Sequence, residues 1–161
     1  MKRFFLFCTI ILITSTIIFS TGCGKAGLSK KNYTIATGSK SGVYFPVGET
    51  LAKILKNTYP DVEIKVIETG GSVQNLQMLN EGKVDMALVQ NDIAFYAAQG
   101  EKMFDSGKIT TVTGIATVFP EVVQIIVRKD KGITSLNELA SKTISIGSKN
   151  SGMKSARKIE K

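Results

Sequence analysis

Residues 34–55, TIATGSKSGVYFPVGETLAKIL, decide how this chain folds. Thr34 and Ile35 open a β-branched strand, and residues 38–42 form a loop of glycine, serine and lysine. Val47, Leu51, Ile54 and Leu55 then recur at i, i+4, i+7 and i+8, which is one apolar face of a helix. Pro46 suits the first turn of that helix. The signature returns near the other end of the chain. Thr34-Ile35-x-x-Gly38-Ser39-Lys40-Ser41-Gly42 reappears as Thr143-Ile144-x-x-Gly147-Ser148-Lys149-Asn150-Ser151-Gly152, with Asn150 inserted. A strand that stops at a Gly/Ser loop leaves backbone N–H groups and hydroxyls facing outward at a helix N-terminus, where an anionic group is favoured. Either loop alone reads equally well as an ordinary strand-to-helix turn, because Gly and Ser are the usual turn and N-cap residues. Their recurrence points to two half-sites of a binding device.

Between the two copies the pattern repeats. Residues 62–68, VEIKVIE, alternate apolar and charged and predict a strand exposed on one side. Thr69-Gly70-Gly71-Ser72 follows, with Val73, Leu76 and Leu79 on a helix for which Ser72 is the expected N-cap. Residues 84–89, VDMALV, predict a third strand covered on both faces. Gln90-Asn91-Asp92 closes it, either as a polar rim at the sheet's carboxyl end or as plain capping of the next helix by Asn91 or Asp92. Residues 109–117, 122–127 and 143–147 are further β-branched strand candidates, and Ser135-x-x-Glu138 spells a capping box. Residues 149–161 begin a last helix.

Strands alternating with helices predict an α/β fold with its ligand chemistry at the strand carboxyl ends. Loops 38–44, 69–72, 90–92 and 147–153, rich in Gly, Ser, Thr, Asn and Gln, read as one site seen from several sides.

The start of the chain carries a different message. Lys2-Arg3, an uncharged apolar run over 4–19 and Ser20-Thr21-Gly22 before Cys23 have the layout of a cleaved export signal. The run is shorter than the roughly 20 residues that span a bilayer. A cysteine at that point resembles a bacterial lipoprotein signal, which implies lipidation of Cys23. Ser20 stands where such signals usually carry Leu. Residues 24–32, GKAGLSKKN, then form a flexible tether. With Cys8 inside the signal and Cys23 lipidated, no pair remains for a disulfide.

Composition narrows the chemistry. The net charge is +8, and +6 without Lys2 and Arg3. The basic residues are scattered apart from Lys149, Lys154, Arg157, Lys158 and Lys161, and no aromatic interleaves with them to stack bases. A solvated surface drawn to anionic membrane is expected rather than a nucleic-acid partner. Histidine is absent, which removes the commonest general base and metal ligand. No phosphate-loop, dinucleotide or nucleophile-elbow motif occurs. Glu68, Asp85 and Asp92 stand at no spacing that pairs carboxylates for acid/base work. No enzymatic role and no cofactor are expected.

GSKSGVYFPVG, TGGSVQNL, GKVDMALVQND and IIVRKDKGITSLNELASKTISIGSKNSG, in this order over residues 33–153, resemble the TAXI family of extracytoplasmic solute receptors, which serve tripartite TRAP transporters. The resemblance implies a type II periplasmic-binding-protein-like fold, two α/β lobes closing on a small carboxylate such as an acidic amino acid, and a TRAP-type membrane permease as partner. Carried over by position, it implies Gly38, Ser41, Gly42 and Tyr44 from the first loop, and Thr69, Gly70, Gly71 and Ser72 from the second. The later loops supply Gln90, Asp92, Ser151 and Gly152. Backbone N–H groups at Gly71-Ser72 and Ser151-Gly152 are the candidates for holding a carboxylate. Tyr44 packs either against the ligand's aliphatic part or simply over the first helix.

Family members are roughly twice as long as this chain. The expected layout is therefore a signal over 1–22, a tether over 23–32, a first lobe over 33–121 and, over 122–161, a crossover strand with the second lobe only begun. The expected location is outside the cytoplasm, lipid-anchored to the cell membrane. A surface lipoprotein that binds a partner protein, or senses an oxyanion without transport, is the competing reading.

Overall fold

The computed structural model describes residues 31–148 and 150–152, which belong to one compact unit. The expected signal, Cys23, the tether up to Lys30 and the helix start after Gly152 lie outside the described residues.

Three strands and three helices follow in strict alternation: β1 (Asn32–Ala36), α1 (Tyr44–Thr58), β2 (Glu63–Ile67), α2 (Ser72–Asn80), β3 (Met86–Ala87) and α3 (Asn91–Gln99). The sheet is parallel with order β2-β1-β3. Ile35 pairs with Val66 on one side and with Met86 on the other. The fold is thus mixed α/β, as the alternation of patterns requires. Among the described residues no helix is long and apolar enough to cross a membrane.

β1 is the centre of the unit. Ile35, Ala36, Thr37 and Gly38 are all buried, flanked by a strand on either side. α1 lies against β1 and β2 so closely that Gly48, the buried residue of that helix, leaves no room for a side chain. A Cβ there would stand 2.5 Å from Thr37 Cγ2 and 3.3 Å from Val66 Cγ1. Alanine normally gains up to about 1 kcal/mol over glycine inside a helix. Overpacking costs about 1–3 kcal/mol, and here it meets the central strand. Gly48→Ala is expected to destabilise the fold by a net of up to about 2 kcal/mol, read as a lower urea midpoint at unchanged slope. A stabilised variant would mean that α1 rides further from the sheet.

Below α2 and α3 sits the apolar cluster of Leu76, Ile93, Ala97, Phe104 and Ile109, with Val73, Val89, Tyr96, Met103 and Val112 packed around it. α3 ends where Gly100 turns left-handed at φ 71°, and the N–H of Glu101 reaches the carbonyl of Tyr96. Glycine is the residue that enters that region without strain. The chain can then fold back, so that the N–H of Ile109 bonds the carbonyl of Ala97.

Several expected elements differ. β3 covers two residues instead of 84–89, because at its ends the N–H groups of Asp85 and Leu88 still bond β1 while side chains take the return bonds. The Asp85 carboxylate accepts the N–H of Thr34 at 2.9 Å, and the Asn75 amide donates to the carbonyl of Leu88 at 2.8 Å. Ser72 opens α2 without capping it; Gly71 is the N-cap. Likewise Gln90 caps α3 by position, and neither Asn91 nor Asp92 does.

The candidate strands at 109–117, 122–127 and 143–147 are not strands. A β-branched run becomes a strand only where another strand completes its ladder, and no neighbour offers one among the described residues. The lobe boundary expected between 121 and 122 therefore falls inside an irregular segment. At Ser135 the capping box gives only a 3-10 turn, Leu136–Leu139. The Glu138 carboxylate accepts from the Thr134 N–H and from the Ser135 hydroxyl, which holds its pKa below the ordinary value.

Candidate functional site

With the order β2-β1-β3, the chain leaves β1 for a neighbour on one side and crosses to the other for β3. The gap between the carboxyl ends of β1 and β3 is a topological switch point, where ligands of open α/β sheets bind. The loops that meet there are those after β1, β2 and β3.

Asn75 holds the gap together. It is completely buried on the inner face of α2. Its amide donates to the carbonyls of Thr37, at 2.6 Å, and Leu88, at 2.8 Å, the residues just past β1 and β3. Its side-chain oxygen accepts from the Thr69 hydroxyl at 2.6 Å. Thr69 in turn lies 2.9 Å from the Thr37 carbonyl, and its backbone N–H reaches Gly38 O at 3.4 Å. Three loops are therefore tied through one amide. Sequence reading passed over Asn75, although an Asn three residues after Ser72, next to Leu76 on an inward face, was the available signal.

The second loop stands against the last one. The Ser148 hydroxyl donates to the carbonyl of Gly70 at 2.8 Å. A Cβ on Gly71, whose φ is +115°, would lie 3.1 Å from Ser151 Cα, and one on Gly70 would lie 3.1 Å from Asn150 Cβ. Glycine is required at 71 for both the backbone angle and the close approach. Gly152 is buried against Gln90 and Ile93. Ser72 completes the cluster, its hydroxyl accepting the Gln90 N–H at 3.0 Å.

Thr69, Gly70, Gly71, Ser72, Gln90, Ser151 and Gly152 are thus brought together. Of the four backbone N–H groups expected to face a carboxylate, two are engaged within the chain. Gly71 donates to the Thr69 hydroxyl and Ser151 to the Ser148 carbonyl. Ser72 and Gly152 have no such partner among the described residues.

The first loop divides. Gly38 is buried beside Tyr44, but Ser41 and Gly42 are exposed and, among the described residues, bond only within their own turn, to Ser39. The sequence repeat survives in that turn. The Gly42 N–H bonds Ser39 O at 2.9 Å, and the Ser151 N–H bonds Ser148 O at 3.2 Å, so each copy closes the same four-residue turn on the serine of its Gly-Ser-Lys.

Tyr44, the first residue of α1, is half-buried and packs edge-on against Phe119, with ring centroids 6.2 Å apart. Its phenol stands by Glu121, Ser72 and Asp92. Burial raises its pKa first. A hydrogen bond to the Glu121 carboxylate and that group's charge raise it further; the Ser72 hydroxyl works the other way, and the charge of Asp92 adds a smaller push upward. Phe119 and Glu121 were not foreseen, since nothing in their spacing links them to residue 44.

A tyrosine whose folded pKa lies above its ordinary value of about 10 favours the native state fully below that pH, and loses that contribution as pH rises toward the folded value. Stability measured by denaturant is expected to fall above about pH 10 more steeply in the native chain than in Tyr44→Phe. Equal slopes would place the phenol in water.

Among the described residues Asp92 accepts only its neighbour's N–H, from Ile93 at 2.8 Å, apart from its field at Tyr44. Among the described residues no group of three His, Cys, Asp or Glu is placed to hold a metal ion. What the arrangement offers is hydrogen bonding by backbone N–H groups, small hydroxyls and amides at the end of a sheet, with a tyrosine and two carboxylates beside them. A match to the model of the NMT1-like family, a group related to periplasmic binding proteins, extends over residues 35–160 and takes in every loop of this site, so the chain belongs to the NMT1-like family.

Proposed function

We propose that the chain is an extracytoplasmic solute receptor of the TAXI kind, which takes up a small carboxylate such as an acidic amino acid and delivers it to a TRAP-type membrane permease. The observation that carries this reading is the approach of Gly70-Gly71-Ser72 to Asn150-Ser151-Gly152 at the carboxyl ends of the strands. The N–H groups of Ser72 and Gly152 suit the carboxylate. Asp92 and Glu121, beside Tyr44, suit an ammonium group on the same solute, which favours an amino acid over a simple dicarboxylate. In this reading Cys23 carries the lipid and residues 24–32 hold the receptor off the membrane. The role in this reading is binding rather than catalysis, since the sequence has no histidine and Glu68, Asp85 and Asp92 stand at no spacing that pairs carboxylates for acid/base work.

Calorimetric titration of the full chain with L-glutamate and then with inorganic phosphate tests the ligand class. Glutamate should bind and phosphate should fail to displace it. Phosphate binding without glutamate binding would make this an oxyanion sensor. Binding of neither would favour the competing surface lipoprotein. Loss of solute uptake on deletion of the gene tests the permease partnership separately, and the intact mass of the membrane-extracted protein tests the lipid on Cys23.

A further inference from the structure

The second loop commits most of its hydrogen-bonding capacity before any solute arrives. Of the three consecutive N–H groups at Gly70-Gly71-Ser72, that of Gly70 is accepted by the Gln74 side-chain oxygen at 2.7 Å and that of Gly71 by the Thr69 hydroxyl at 3.1 Å. Only Ser72 keeps its N–H without an acceptor among the described residues. The Gly70 carbonyl takes the Ser148 hydroxyl at 2.8 Å, so Gly70 is held on both sides. Gln74 is the third residue of α2, a position from which Gln or Glu ordinarily reaches back to the N–H of the N-cap. The N-cap is Gly71, and Gln74 reaches one residue past it. The helix gains no cap by that bond. Gly70 lies outside α2 and is only half-buried, so its N–H is not one that burial forces the chain to satisfy.

What the bond changes is the number of donors left for a ligand. A tetrahedral oxyanion is cradled by a row of consecutive N–H groups at a helix N-terminus, whereas a carboxylate has two oxygens and needs fewer. α2 begins with no acidic residue in its first turn and no side-chain cap, so its dipole alone favours either anion. We infer that Gln74 is a positioning residue of the solute site: by withholding the Gly70 N–H and fixing Gly70 against Gly71, it sets the second loop for a carboxylate and against a phosphate. Its amide oxygen is a neutral acceptor, so the loop is shaped without negative charge beside the anion. This role rests on the receptor reading above and concerns what that same site discriminates.

Titration of the full chain with L-glutamate and with inorganic phosphate, beside amide exchange at Gly70 followed by NMR, tests it. Gln74→Met keeps the length of the side chain and loses the acceptor, and Gln74→Glu keeps the acceptor. The Gly70 amide should exchange slowly in the native chain and in Gln74→Glu, and several-fold faster in Gln74→Met. Gln74→Met should bind glutamate roughly tenfold more weakly and phosphate more tightly, so that phosphate now displaces glutamate. Gln74→Glu adds a negative charge that weakens both anions, and its ratio of the two affinities should stay native. Equal Gly70 exchange in the native chain and Gln74→Met overturns the inference whatever the site binds. A native affinity ratio in Gln74→Met also overturns it and leaves the receptor reading standing. So does a Gln74→Met chain that loses both anions together with its melting transition, which would make Gln74 a residue of the fold. A native chain that prefers phosphate, or binds neither anion, overturns the receptor reading, and this role falls with it.

Discussion

Asn75→Ala is expected to destabilise the fold by about 3–5 kcal/mol, the largest effect of any single substitution considered for this chain. The amide, itself fully buried, makes two buried donations and accepts one part-buried hydrogen bond, all within 2.8 Å. Removing it leaves the Leu88 carbonyl without that donor, while the Thr37 carbonyl keeps only the Thr69 hydroxyl. A lost intramolecular bond costs about 1 kcal/mol net, and a buried carbonyl left unpaired about 1–3 kcal/mol more. Small domains are stable by only about 5–15 kcal/mol, so this is a large share of the total. Asn75→Asp separates the hydrogen bonds from the packing. At neutral pH a carboxylate has no proton to donate and faces two carbonyls. It should be as damaging as alanine, and recover in part on acidification as the protonated form becomes able to donate one bond. Urea unfolding at two pH values reads both. A cost for Asn75→Ala below about 1 kcal/mol would mean that the three loops are held by their backbones alone.

What the sequence made legible follows from how local each signal is. β1, α1, β2 and α2 were readable because each carries its own periodicity and is punctuated by glycine, proline or serine. The sheet order was not, since the same strands in another order would show the same patterns. The three missing strands mark the limit of pattern reading. VVQIIV has every local property of a strand, but pairing depends on a neighbour that spacing does not reveal. The site shows the same division. Gly71 and Gly152 were legible through the family resemblance, and the repeat of the Gly-Ser-Lys turn was visible by eye; the close approaches that require glycine there, to Ser151 at 71 and to the Gln90 and Ile93 side chains at 152, were not. Ser41 and Gly42 looked equivalent to Ser151 and Gly152, yet among the described residues they bond only within their own turn. Glu121 reaches Tyr44 across more than seventy residues of chain, which no local motif encodes. Asn75 was hidden because a polar residue on a helix is ordinarily taken as solvated.

Gly152→Ala is expected to weaken solute binding roughly 5- to 150-fold while leaving the stability of the sheet nearly unchanged. The added methyl would overlap the Gln90 side-chain oxygen and stand 2.9 Å from Ile93 Cγ1. Gln90 is a flexible amide and can turn aside. Ile93 cannot, because it is fully buried in the apolar cluster beneath α3. The last loop must therefore lift away from the second, drawing Ser148 from Gly70 and the Gly152 N–H from the place where a carboxylate would meet it. Regaining the native position to bind solute costs the overpacking energy, about 1–3 kcal/mol, and that sets the range of the affinity loss. The loop adds little to the apolar cluster, so thermal unfolding of the rest should hardly move. Gly114→Ala is the matching control, since nothing lies within 4 Å of the new methyl. Titration with glutamate beside a melting curve distinguishes the outcomes. Lost affinity at constant stability assigns the last loop to the site. Equal loss of both would make Gly152 a packing residue of the fold, and the carboxylate would then have to be held by the second loop alone.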